Sequence, residues 1–167
     1  MKKLVKITLV IFAVFALCGC GKDNDDAHQK YFSIDGIRYD ISYAYQFKDM
    51  DGFMSVVFME KEQTDVQNNV VMISFFGQSE IVTGSKVDVV YDAVGAGLLA
   101  VKNFNWNQYD PQNPGMLLSK AFRCTKGTVE IKKTGAQYRF YGKKLSVKSD
   151  NGDEVDFELV YEGNIEQ

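Results

Sequence analysis

Asp150-Asn151-Gly152-Asp153-Glu154-Val155-Asp156-Phe157-Glu158-Leu159-Val160-Tyr161-Glu162 is the stretch that decides the fold. Apolar side chains fall on Val155, Phe157, Leu159 and Tyr161, and acids on Glu154, Asp156, Glu158 and Glu162. A period of two puts the first set on one face of a strand and the second in water. The Asp-Asn-Gly run before it supplies the positive-φ residues of a hairpin turn. Working backwards, Leu145 and Val147 keep the odd phase, whereas Tyr138 and Phe140 occupy the even one. A one-residue slip reverses every side chain, so a bulge or turn belongs near Gly142. Before that, Thr134-Gly135 turns the chain, and Val129 and Ile131 alternate inward between Gly127 and Lys132.

The same grammar extends to Tyr31. Asp35-Gly36 predicts a tight hairpin between Tyr31–Ile34 and a strand from Ile37 to Phe47, whose odd residues Ile37, Tyr39, Ile41, Tyr43, Tyr45 and Phe47 are expected to face the core. Phe53 to Met59 and Val70 to Phe76 are apolar on both faces, as in strands covered on each side, with a polar loop from Lys61 to Asn69 between them. Val87, Val89 and Tyr91 alternate with Asp88 and Asp92, and Leu98 to Phe104 follows the Gly95-Ala96-Gly97 turn. In Lys120 to Cys124 the alternation sets Phe122 and Cys124 on one face, which reads Cys124 as a small buried hydrophobe. The body is therefore predicted to be all-β, an antiparallel meander of about nine or ten strands closed as a barrel or packed as a two-layer sandwich.

The 167 residues suit one domain, and 46% apolar with 25% charged residues describes a folded chain and not a disordered one. At the start, Lys2, Lys3 and Lys6 precede an apolar run from Ile7 to Leu17 that ends in Leu17-Cys18-Gly19-Cys20. A basic start, a greasy middle and a small-residue exit describe a signal peptide. The run spans only ~17 Å as a helix against a hydrocarbon core of ~30 Å, too short for a stable anchor.

The exit resembles the lipobox of bacterial lipoproteins. That resemblance implies a diacylglyceryl thioether on Cys20, cleavage after Gly19, and Leu17 in the upstream recognition position. Acyl chains add about 0.8 kcal/mol per buried methylene, and two or three chains hold far more firmly than one. Gly21-Lys22-Asp23-Asn24-Asp25-Asp26 then resembles the acidic export tag of Bacteroidetes-type surface lipoproteins, with Lys22, Asp23, Asp25 and Asp26 as its matching residues. The regular C-terminal pattern also resembles small lipoproteins of that group with all-β bodies. The implied organisation is a signal peptide at 1–19, a lipidated cysteine and acidic tether at 20–30, and one all-β domain at 31–167. The implied location is the outer membrane, lipid-anchored and facing outward, with the periplasmic face as the alternative.

Removing residues 1–19 takes three lysines and no acid from 19 basic and 22 acidic residues, leaving 16 against 22 and a net charge of −6. Such a chain repels phosphate backbones, which argues against nucleic acid as a partner and against a membrane engaged by charge, leaving the covalent lipid as the expected membrane contact. One cysteine, Cys124, then remains in the body, too few for a disulfide framework. The single histidine, His28, falls in the tether, so a His-based triad or multi-His metal site is not expected, and no cofactor is implied. Asp49-Met50-Asp51-Gly52 fails as a calcium loop, because the first and twelfth positions would be Phe47 and Phe58. Asp49, Asp51, Asp88, Asp92, Asp110 and Asp153 could supply a hydrolytic carboxylate pair, but no spacing marks one out.

Phe104 to Gly115 contains the sole Trp, both Pro residues and a cluster of amides. Aromatic faces beside amide donors and acceptors suit sugar rings or extended peptides. Trp106 and Tyr109 are the expected ligand platform, with Asn105, Asn107 and Gln108 orienting the guest; a loop simply pinned onto the sheet is the competing reading. The sequence thus supports a non-catalytic surface module that binds a glycan, peptide or partner protein. The alternatives are an accessory envelope component with no small ligand, and a small carboxylate-dependent hydrolase. A ligand binder should present a concave aromatic pocket, and an assembly component a broad apolar patch or an open sheet edge.

Overall fold

The computed structural model describes residues 30–48, 52–62, 67–91, 95–105 and 121–167. Among them there are eleven strands and no helix: β1 (Tyr31–Ile34), β2 (Ile37–Asp40), β3 (Tyr43–Lys48), β4 (Met54–Met59), β5 (Asn68–Phe75), β6 (Gly84–Asp88), β7 (Ala96–Phe104), β8 (Ala121–Lys126), β9 (Thr128–Thr134), β10 (Gln137–Lys148) and β11 (Glu154–Asn164). They form one antiparallel sheet in the order β2-β1-β11-β10-β8-β7-β5-β4-β3, with β9 pairing β10 and β6 pairing β9. The all-β expectation holds, with eleven strands in place of nine or ten. The barrel alternative does not hold, because no ladder joins β2 to β3.

The sheet nevertheless curls on itself. Phe58 on β4 meets Phe140 on β10 and Tyr161 on β11, each at 5.1 Å between ring centroids, although these strands lie far apart in the ladder. The two halves therefore face one another across a shared core, the layering of a sandwich. Fully buried Phe32, Ile73, Leu98, Ile131, Leu145 and Leu159 bring in residues from both halves. A second buried cluster, with Val57, Met59, Leu99 and Val101, takes the opposite residues of β4 and β7. This burial of both faces explains why their sequences show no alternation.

The hairpin signals are realised. Asp35 and Gly36 have φ of 55° and 71°, the paired left-handed residues of a two-residue turn. The ladder between β10 and β11 shifts register between Gly142 and Leu145, where the phase of the sequence changes. Around this bulge the sheet forks. One edge of β10 pairs with β11, while the other pairs with β9 from Gln137 to Tyr141 and with β8 from Ser146 to Lys148. Gly127 separates β8 from β9 with φ of 126°, which sends β9 toward β6 and β8 toward β7.

The expected single strand from Ile37 to Phe47 is corrected. It breaks at Ile41-Ser42, where the Ile41 N–H donates to the Lys30 carbonyl (2.7 Å) and the Ser42 N–H to the Met59 carbonyl (2.9 Å). Adjacent amides are thus committed to opposite ends of the ladder, and the step shifts the phase by one residue. Ile41 and Ala44 are both 6% exposed, while Ile37, Tyr43 and Phe47 are 54%, 37% and 39% exposed. The expected loop from Lys61 to Asn69 is also corrected at its end: Asn68 is a buried residue of β5. Its amide donates to the Lys61 and Glu62 carbonyls (2.7 and 3.4 Å) and its oxygen accepts from the Lys61 N–H (3.1 Å).

Candidate functional site

The turn between β10 and β11 lies between two concavities among the described residues. Its backbone is closed by the Gly152 N–H donating to the Ser149 carbonyl (3.0 Å) and the Ser149 N–H donating to the Asp153 carbonyl (3.3 Å). Two cavities, about 420 and 440 Å³, meet at Ser149 and Asp150. On β8, Phe122 lines one of these lobes and Arg123, Cys124 and Thr125 line the other.

The lobes have the same design. In one, the Arg123 guanidinium lies 5.9 Å from the centre of the half-buried Tyr91 ring, beside Thr125 and Lys148. In the other, the Lys102 ammonium lies 5.3 Å from the centre of the half-buried Phe122 ring, beside Asp35, Asn151 and Asp153. An ion pair between Arg123 and Asp150 (2.7 Å) divides them. Its side chains are 34% and 39% exposed, so solvent screens it and it adds little to the stability of the fold. Aromatic faces framed by hydroxyl, amide and charged groups can take a ligand with apolar ring faces and polar edges.

Cys124 lines the Tyr91 lobe, yet it is 2% exposed, and burial pushes its thiol up to about 11. At neutral pH this is a packed thiol and not an activated nucleophile. Asp88 accepts the Val90 N–H (3.1 Å) in a turn, while Asp153 lines the Phe122 lobe. Among the described residues no group of three His, Cys, Asp or Glu side chains is placed to hold a metal ion.

Of the expected platform, Asn105 is described and half-buried just beyond β7. Trp106, Asn107, Gln108 and Tyr109 lie outside the described residues, as do Cys20, Leu17, Gly19, Lys22, Asp23, Asp25, Asp26 and His28. So do Asp49, Asp51, Asp92 and Asp110. The strand ends that bracket the platform segment are nevertheless placed. Phe104 ends β7 and Ala121 begins β8, and neighbouring Lys102 and Phe122 line the cleft. Tyr91, Lys102, Phe122, Arg123 and Asp150 were not legible as a site, because each sits in an ordinary strand or turn pattern and only the ladder brings them together. The one available signal was the dense polar turn at Ser149–Asp153. No family model matches the chain, and comparison with curated proteins and with solved structures gives no match.

Proposed function

We propose that the protein is a lipid-anchored envelope module, held at the outer membrane through Cys20 and facing outward, whose β body binds a glycan without turning it over. The observation that carries the binding half is the two-lobed cleft, a concave site in which each lobe combines an aromatic ring with hydrogen-bonding groups. The anchor half rests on the lipobox pattern at Leu17 to Cys20 and the acidic run after it. Two of the sheet edges, β2 and β3, favour a ligand over an assembly partner. β2 is short and carries the charged pair Arg38 and Asp40 (3.1 Å), and β3 is hydrogen-bonded along its outer edge by Glu166. Short, charged or covered edges discourage strand addition.

Trp106 and Tyr109 are included in the proposal because in sequence they lie between Lys102 and Phe122, which line the cleft. Titration with envelope- and host-derived glycans, followed by the emission of the sole tryptophan, tests it. Saturable change with at least one glycan, abolished in Trp106→Phe for lack of the fluorophore and retained for that variant by calorimetry with weaker affinity, is the expected result. Calorimetry showing no binding by any of those glycans would overturn it.

A further inference from the structure

We infer that the cleft selects a neutral oligosaccharide of two or more sugars, draped over the rim at Ser149 and Asp150, in preference to an acidic glycan. This inference rests on the binding-module reading above and specifies its ligand. The number of sugars follows from the two lobes. Each is within the ~300–1,000 Å³ range of small-molecule sites, and Ser149 and Asp150 line both, so a ligand that crosses this rim reaches the two. Each lobe has its own half-buried ring, Tyr91 or Phe122, for the apolar face of one sugar.

The preference for neutrality follows from charge. The linings together have three acids, Asp35, Asp150 and Asp153, and three bases, Lys102, Arg123 and Lys148, but the Phe122 lobe sets all three acids against Lys102 alone, while the Tyr91 lobe sets Arg123 and Lys148 against Asp150. Within it Arg123 is already matched by Asp150. The surrounding mature chain has 16 basic residues against 22 acidic ones. A uronate or sulfated oligomer that reaches both lobes therefore places charge in the acidic Phe122 lobe, on a repelling body. Sugar hydroxyls lose nothing by this: they donate to carboxylates and accept from ammonium and guanidinium groups in charge-assisted hydrogen bonds without bringing a charge of their own. Lys102 and Asp153 are suited to this role because neither side chain makes an ion pair or hydrogen bond among the described residues.

The test uses the full chain as processed by its host, in a detergent free of sugar headgroups, with calorimetry as the readout. The probes are neutral oligomers of glucose, mannose and N-acetylglucosamine, and acidic oligogalacturonate and chondroitin sulfate fragments. At least one neutral oligomer should bind, its disaccharide more tightly than its monosaccharide, and added salt should leave its affinity within about twofold. Lys102→Ala and Asp153→Asn, both at surface side chains, should each weaken it about tenfold, as loss of charge-assisted hydrogen bonds does. Tighter, salt-sensitive binding of an acidic fragment would overturn the inference and leave the module reading standing. The same follows if a neutral oligomer binds but is indifferent to both cleft variants. Binding by none of the probes overturns this inference together with the glycan form of the reading.

Discussion

Gly127 shows how one residue sets the course of the sheet. Its φ of 126° lies where side-chain-bearing residues are strained, and a Cβ there would overlap the Leu145 side chain and lie 3.1 Å from the Leu145 Cα. Leu145 is fully buried and forms one side of the bulge in β10, so neither partner has room to yield. Gly127→Ala should therefore destabilise the body by about 2–3 kcal/mol, combining a disfavoured backbone with overpacking. Urea unfolding followed by far-UV circular dichroism checks this, and Gly135→Ala is the control. Gly135 has φ of 61° but open space around it, so that variant should lose only the smaller backbone contribution. In the sequence Gly127 looks like any other strand-bounding glycine; the demand on it comes from Leu145, which only the ladder reveals.

At the scale of elements, the C-terminal residues act as a clip on the open side of β3. The Gln46 N–H donates to the Glu166 carbonyl (2.8 Å) and the Glu166 N–H to the Ala44 carbonyl (3.0 Å), while Ile165 packs against the main core. Deleting Ile165 to Gln167 should bare a strand edge flanked by exposed Tyr43 and Phe47, and so cause concentration-dependent self-association, measurable by light scattering. A strictly monomeric, equally stable truncation would show that the clip does no such work. The β10–β11 hairpin and its bulge were legible because a period of two, a turn signal and a phase change all occur within one continuous segment. The step at Ile41-Ser42 was not. The odd-numbered aromatics of the 37–47 segment continue without a break, and the phase is reversed only because two successive amides serve opposite ends of the sheet. Aromatic spacing gives strand periodicity, but the burial of a given face depends on which strands later cover it.

For the whole molecule, the outer surface of the β10–β11 hairpin is charged, with Arg139 in register with Glu162, whereas the β4–β7 region buries apolar residues on both faces. The cleft lies at the rim, assembled from β7, β8, β10, β11 and three connecting segments that are distant in sequence, which is why the residue pattern alone pointed to the Trp106 segment and not to Arg123 or Lys102. Lys30, where the described fold begins, is ten residues after Cys20. Under the proposed anchoring, a chain of that length would reach at most about 35 Å when extended, enough to hold the body close to a bilayer without burying it. In the proposed function, a short lipid tether would determine where the cleft meets its ligand. Intact-mass and N-terminal peptide mass spectrometry of the protein from its native host's outer membrane tests this most directly. The prediction is a chain beginning at residue 20 whose sulfur carries a diacylglyceryl thioether; an unmodified Cys20 thiol in membrane-derived material would contradict it.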